Sequence, residues 1–378
     1  MLIIGIITVP ALPQVHAASG TNFNNIVIVA MENQNYADVM GTGTGSSSAP
    51  FITSMLVTGA TVPLYHGYGA AGRPVNGCSA GCYTALISGS DQGISNGYSC
   101  CINAPTLIDK MVVAGLTWNA FCESGCPRGN DHFPFTGFAG TANSPNIMGS
   151  TCCSGQPDPE FVAPMNSASP PNFIWLTPTD SHNMHDNSIQ SGDSYLHDLL
   201  VGPTGTFANP AAGSVLASNL FTSGHRTILL LWWDEYDPGP ILFYGSGVVK
   251  QAFISSSDVY DEYSILHLVE NNWALPTLTA NDAVASSMTE IYGSSTSPPS
   301  GGSGGGSGGG SGGSSGGSGS GSNGNCMLLC GTFPALSTSM WLLVMGGLMG
   351  FVGSLTLLTI RARANLGGTK RRMNRLDQ

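Results

Sequence analysis

The chain has 378 residues, and charged side chains make up 9% of it, against about 25% in ordinary soluble proteins. Of its 11 Lys and Arg, six lie in the last eighteen positions beside one acid, which leaves five bases against 21 acids and a formal charge of −16 on the remainder. That balance excludes nucleic acid as a partner, and so few bases generate little positive self-repulsion when the carboxylates protonate in acid.

In chain order, residues 1–18 are apolar and close on Val15-His16-Ala17-Ala18, a small-residue pattern that predicts a cleaved signal peptide. A folded body is expected over 21–292. Its first strand is Asn25 to Met31, an unbroken apolar run of the kind buried on both faces of a parallel sheet, ending in Glu32-Asn33. Gly77-Cys78-Ser79-Ala80-Gly81-Cys82 reads as a turn into a helix, with Ser79 at an N-terminus whose free N–H groups and dipole favour an anion. Helical spacing recurs at Thr106 to Ala114, Asp193 to Leu200 and Asp261 to Trp273. Two further core strands, Asn172 to Thr177 and Arg226 to Trp233, each run into a polar cluster, the first Asp180 to Asp186 and the second Asp234-Glu235. Alternating strands and helices predict an α/β layered domain with a mostly parallel central sheet.

Eight cysteines fall in the body, an even number that permits 105 full disulfide pairings. Cys78-x3-Cys82 and Cys122-x3-Cys126 also have spacings that a structural zinc ion tolerates. After the body, 294–325 is almost wholly Gly and Ser and is expected to act as a flexible tether, spanning ~25–30 Å for about 25 residues. Within 336–360, Trp341 to Ile360 carries no charge and is long enough, at ~1.5 Å per residue, to cross a ~30 Å hydrocarbon core as one transmembrane helix. The basic tail 361–378 then predicts a cytoplasmic C-terminus and an extracellular body, anchored in the cell membrane by a single pass.

Ligands of open α/β sheets bind beyond the carboxyl ends of the strands, so Glu32, Asn33, His185, Asp186, Asp234 and Glu235 are expected to meet there. Hard oxygen donors with imidazole suit a divalent cation. Without one, the crowded acids would raise one another's pKa values. Ser79 is the candidate nucleophile.

Met31-Glu32-Asn33-Gln34-Asn35-Tyr36, Ser79 to Gly89, Gly115-Leu116-Thr117-Trp118, His132-Phe133-Pro134-Phe135, Met184-His185-Asp186, Gly192-Asp193 and Trp233-Asp234-Glu235 together resemble the phosphoesterase family of bacterial phospholipases C and acid phosphatases. Those motifs run in order from Asn25 to Leu278. The resemblance implies an alkaline-phosphatase-like layered fold and a divalent cation held by Glu32, Asn33, Asp234 and Glu235. It also implies a phosphoserine intermediate at Ser79 and imidazoles of His132 and His185 near the phosphate, with Asp186 and His66 behind them. Two positions depart from the pattern: Gly81-Cys82 stand where Pro-Asn is usual, and Glu262 stands where a His often precedes Tyr-Ser. The function expected is that of an extracellular, membrane-anchored, metal-dependent phosphoesterase, foremost an acid phosphatase acting on phosphomonoesters. Phospholipase C action on phospholipid headgroups, or a catalytically weak surface binding module, are the alternatives.

Overall fold

The computed structural model describes residues 19–125, 127–150, 158–257 and 259–293. The expected signal peptide, tether, 336–360 helix and basic tail all lie outside those residues. The expected single-pass, membrane-anchored localisation is corrected here: among the described residues no helix is long and apolar enough to cross a membrane.

Strand β1 (Asn25–Met31) is buried along its whole length. The remaining strands are β2 (Ala60–Thr61), β3 (Tyr65–His66), β4 (Trp118–Glu123), β5 (Ile147–Ser150), β6 (Phe173–Thr177), β7 (Thr227–Trp233), β8 (Ile241–Tyr244), β9 (Phe253–Ile254) and β10 (Tyr260–Asp261). Among the described residues they form an eight-stranded sheet, ordered β5-β4-β6-β1-β7-β8-β2-β9, and a separate pair, β10-β3. The five strands from β5 to β7 in that order are mutually parallel, β8 is antiparallel to β7 and to β2, and β9 runs parallel to β2. The sheet is therefore mixed and mostly parallel.

The helices are α1 (Tyr36–Met40), α2 (Pro50–Leu56), α3 (Ala80–Ser88), α4 (Leu107–Val113), α5 (Pro159–Val162), α6 (Ile189–Leu200), α7 (Asn219–Thr222), α8 (Glu262–Trp273) and α9 (Ala280–Val284). Successive residues of a strand point to opposite faces, and β1 divides accordingly. Ile26, Ile28 and Ala30 pack with Leu86 of α3, Met111 of α4 and Leu268 of α8, whereas Val27, Val29 and Met31 pack with Met55 of α2 and Leu196 of α6. Helices thus cover both faces, which is why the core strands read as continuous rather than alternating apolar runs.

Helix starts follow their caps. Thr106 and Asp109 form a capping box for α4, and Asp261 caps α8 by accepting from Ser264. Helix α6 begins at Ile189, four residues before the expected Asp193, because the Ser188 hydroxyl accepts from Ser191 N and sets the start. Cys78 is bridged to Cys82 and Cys100 to Cys101, and Cys122 is also disulfide-bonded. The Cys78-x3-Cys82 spacing therefore serves a disulfide rather than a zinc cage.

Glu270, on α8, is 1% exposed. Burial, and then the charge of Asp282, push its pKa up from 4.5 to about 9. A carboxyl raised on folding contributes stability that is full below its unfolded value and lost as pH rises through its folded value. Thermal unfolding scans between pH 5 and pH 10 should show Tm falling on the alkaline side, with Glu270→Gln flattening that fall; a variant that retains the full wild-type slope would remove Glu270 as its source.

Candidate active site

Register brings the site together. Met31 pairs with Trp233 across β1 and β7, so the next residues, Glu32 and Asp234, emerge side by side at the carboxyl edge of the sheet. Both are fully buried. The backbone N–H of Asn33 reaches Asp234 Oδ1 at 3.4 Å, and that of Glu32 donates to Asn183 O at 2.8 Å, tying β1 to the loop after β6. With its side-chain amide assigned in the orientation that satisfies both ends, Asn33 donates to Glu235 Oε1 and Oε2 at 3.1 and 2.8 Å and its amide oxygen accepts from His185 Nε2 at 3.3 Å.

Ser79 sits immediately before α3 with φ +53° and does not cap its own helix. Its hydroxyl instead donates to Glu235 Oε1 at 3.3 Å. A non-glycine residue at such a φ carries a strain of about 1–3 kcal/mol and persists only where its surroundings over-determine it. Asn33, Met184 and Tyr236, all beside the acidic cluster, share the positive sign.

His132 is 1% exposed and stacks on Tyr83, with ring centroids 5.7 Å apart. Its Nδ1 lies 3.3 Å from Glu32 Oε1 and 3.4 Å from Asp180 Oδ1. Burial, reinforced by the nearby Arg128 guanidinium, pushes its pKa down to about 4, so at neutral pH it offers lone-pair nitrogen rather than charge. His185 is held by Asp186, Nδ1 to Oδ1, at 2.6 Å. His66 faces Asp237 at 2.7 Å, in the loop beyond Glu235.

Desolvation raises the pKa of Glu32 well above the carboxylate range, and the charge of Asp234 adds to it. Asp234 is raised as well, by burial and then by Glu235. Two such acids do not both ionise in a dry site unless a counter-charge joins them. Ligand atoms of Glu32, His132 and His185 lie within 4.8 Å of one another, as do those of Asp180, His185 and Asp186, so each triad can hold a cation. The expected ligands Glu32, Asn33, Asp234 and Glu235 share one strand edge with both imidazoles. Within it, Asn33, Glu235 and Ser79 form one hydrogen-bonded side and Glu32, Asp234 and His132 the deeper one.

Several participants have no role in the sequence reading. Tyr83 donates to Glu32 Oε1 at 2.5 Å, yet in sequence it is an aromatic residue in an apolar helix; its position one turn after Ser79 was the available signal. Arg128 spans Asp131 and Asp180, each at 3.2 Å, and stands in a Gly-containing loop with no periodicity. Glu123 is the last residue of β4, a place close to that of Glu32 just after β1, and its carboxylate meets His182 Nδ1 at 2.8 Å.

Fold and site together define an α/β layered protein with a dry cluster of carboxylates and imidazoles, fit for a divalent cation, at the carboxyl ends of its central strands. No family model matches the chain. It is similar to a phosphatidylinositol-3-phosphatase of Mycobacterium tuberculosis (strain ATCC 25618 / H37Rv), 26% identical over 305 residues that cover 75% of this chain and 89% of that protein. Among solved structures it is similar to a protein in the alkaline phosphatase superfamily from Vibrio parahaemolyticus, with a TM-score of 0.45, 13% identity, and coverage of 72% of this chain and 71% of that one. The phosphonate monoester hydrolase of Silicibacter pomeroyi gives a TM-score of 0.45 at 11% identity, with coverage of 72% and 78%.

Removing the Tyr83 hydroxyl leaves Glu32 without that donor while keeping the ring stacked on His132. Tyr83→Phe is expected to weaken divalent-cation binding about 10-fold, read by competition with a chelating dye. Unchanged affinity would separate Tyr83 from cation binding.

Proposed function

We propose that the protein is a hydrolase of the alkaline-phosphatase-like superfamily, specifically a metal-dependent phosphoesterase that cleaves phosphomonoesters through a phosphoserine at Ser79. The observation that carries this reading is the Ser79 hydroxyl, directed at Glu235 from the N-terminus of a helix and beside a buried carboxylate–imidazole cluster.

The donor set fits a divalent cation. Glu32 Oε2, Asp234 Oδ2 and both ring nitrogens of His132 are buried without a hydrogen bond, as side chains arranged to ligate would be. Glu32, Asn33, Asp234 and Glu235, with His132 and His185, would hold it. When bound, the cation would neutralise the carboxylates and polarise the phosphoryl oxygens. Glu235 accepts the Ser79 proton along their hydrogen bond, and Ser79 Oγ forms a bond to phosphorus as the ester P–O bond breaks. The departing alcohol oxygen takes a proton from solvent. The N-terminus of α3 stabilises charge gathering on the phosphoryl group. Water then attacks the phosphoserine as the Ser79 Oγ–P bond breaks; the Ser79 oxygen takes its proton back from Glu235, and phosphate leaves, giving any excess proton to solvent. Asp186 and Asn33 orient His185 from its two nitrogens.

A phosphoinositide headgroup as the source of the monoester is a second reading. Leu64, Tyr68 and Tyr236 are 39–43% exposed, and Tyr68 donates to Glu235 Oε2 at 3.3 Å, so apolar surface borders the acidic site. The named activity of the mycobacterial relative lies in that direction.

Hydrolysis of an aryl phosphate monoester by the purified protein tests the main reading. Activity should need a divalent cation, disappear with chelator, and fall at least about 100-fold in both Ser79→Ala and Asp234→Asn. Acid-quenched wild type should carry a phosphoryl group that Ser79→Ala lacks. Turnover that survives Ser79→Ala would end the phosphoserine proposal, and no turnover of aryl or phosphoinositide monoesters with any divalent cation would end the phosphatase reading.

A further inference from the structure

The Cys78–Cys82 disulfide closes a ring of backbone around Ser79, the residue with positive φ that points at Glu235. We propose that this bridge is a positioning device for the Ser79 hydroxyl and a site of reversible redox control over the reaction, an inference that rests on the phosphoserine reading above. The two half-cystines are four positions apart. Bridges that close short loops remove the least entropy from the unfolded chain, so what this one secures is local geometry.

The contacts of the bridge show what it registers. Both sulfurs sit against the carbonyl oxygen of Gly67, Cys82 Sγ at 2.8 Å. Gly67 N in turn donates to Tyr236 O at 3.1 Å, and Tyr236 directly follows Glu235. The circuit is therefore closed: the bridge seats on Gly67, Gly67 is fixed to the loop after β7, and that loop presents the carboxylate that receives the Ser79 hydroxyl. Glycine is required at position 67, because a Cβ there would stand 2.4 Å from Tyr236 O. On its other flank the ring is held by the 94–95 backbone: Gly81 N donates to Ser95 O at 3.3 Å, and a Cβ on Gly81 would meet Ile94 O at 2.7 Å. These are constraints from two sides on one residue that an L-amino acid does not adopt freely.

The reduced form has a defined place to go. Ligand atoms of Cys78, Cys82 and Glu262 lie within 4.8 Å of one another, so freed thiols would find acceptors in the Gly67 carbonyl and the Glu262 carboxyl without leaving the core. Reduction by a phosphine consumes one water: phosphorus is oxidised to the phosphine oxide, the S–S bond breaks, and each sulfur gains a hydrogen. What is lost is the covalent link across Ser79, while the acids, imidazoles and Tyr83 stay where they are. An error of about 1 Å in the position of a reacting atom costs on the order of 100-fold in rate. The chemical step should therefore suffer, and substrate and cation binding should not.

The test compares wild type, phosphine-reduced wild type and the Cys78→Ser/Cys82→Ser double variant in aryl phosphate hydrolysis. Thiol alkylation and mass spectrometry count the opened bridges, and chelator competition and Tm are read alongside. The expected result is a kcat lower by about 10–100-fold in the reduced and double-variant proteins, with KM and cation affinity within about two-fold of wild type. Reoxidation should restore kcat to reduced wild type and do nothing for the double variant. A wild-type kcat with the bridge open would overturn the proposal, as would a fall in kcat matched by lost cation affinity. A double variant that does not fold, together with a wild type that loses cation binding on reduction, would make the bridge structural and overturn it equally. Activity surviving Ser79→Ala would instead sink the phosphoserine reading on which the proposal stands.

Discussion

The structure depends on one constraint, the parallel register of β1 with β7, which delivers two carboxylates into a space that water does not reach. Met31 opposite Trp233 leaves Glu32 and Asp234 adjacent and fully buried. Burying an unpaired carboxylate costs so much that the group either protonates or acquires a partner. The surroundings of this pair are answers to that cost. Tyr83 donates to Glu32, the Asn33 backbone reaches Asp234, and the His132 nitrogens stand open with no hydrogen bond of their own. Together they line a place where a cation could sit. A sheet shifted by one residue would send both acids to the opposite face, among apolar side chains such as Met55 and Leu196, where nothing could compensate them.

The large features were legible because they have a single physical cause. An apolar run buried on both faces looks the same in sequence and in the fold, and β1, β6 and β7 were each readable with the acids or imidazole that follow them. The short strands were not. β2, β3, β9 and β10 have two residues each, too few to show any period, and they exist because neighbouring strands offer hydrogen-bonding edges. The site divides in the same way. Glu32, Asn33, Asp234 and Glu235 are exposed in sequence by being polar where a strand has just ended. Tyr83 is hidden because a tyrosine among Ala, Leu and Ile reads as core, and it is core on every side except its hydroxyl. Arg128 and Asp180 come from loops, where partners some fifty positions apart are set by tertiary packing alone. Arguments from apolar length served the body well; the 336–360 span, to which the same argument was applied, lies outside the described residues, among which no helix is long and apolar enough to cross a membrane.

Burial across the site is graded, and the gradient assigns work. Glu32 and Asp234 are dry, Ser79 is 6% exposed, Asn33, Glu235 and His185 are half-buried, and Asp186 and Tyr236 face solvent. Charges at the bottom interact through a low dielectric and gain most from a fixed cation, while those at the rim are screened. The rim is the side open to solvent, so on the proposed reading bond making and breaking belong at the level of Ser79 and Glu235, with the interior acids below them as the fixed field.

That division explains where the chain tolerates strain. Asn33, Ser79, Met184 and Tyr236 are four of the nine non-glycine residues with positive φ among the described residues, and each lies in a turn that leaves a core strand or enters a helix at the site. A turn of this kind re-aims a side chain by one sharp bend instead of a gradual curve. It holds only if what precedes and follows is rigid. Strands buried on both faces provide that rigidity for Asn33 and Tyr236. Ser79 has no such strand before it, since the chain arrives from the loop after β3; there the anchoring falls to a covalent bond and to the Gly67 carbonyl beneath it. On the reading proposed above, Gly81 and Cys82 answer one requirement there: a nucleophile held in a conformation it would not keep by itself.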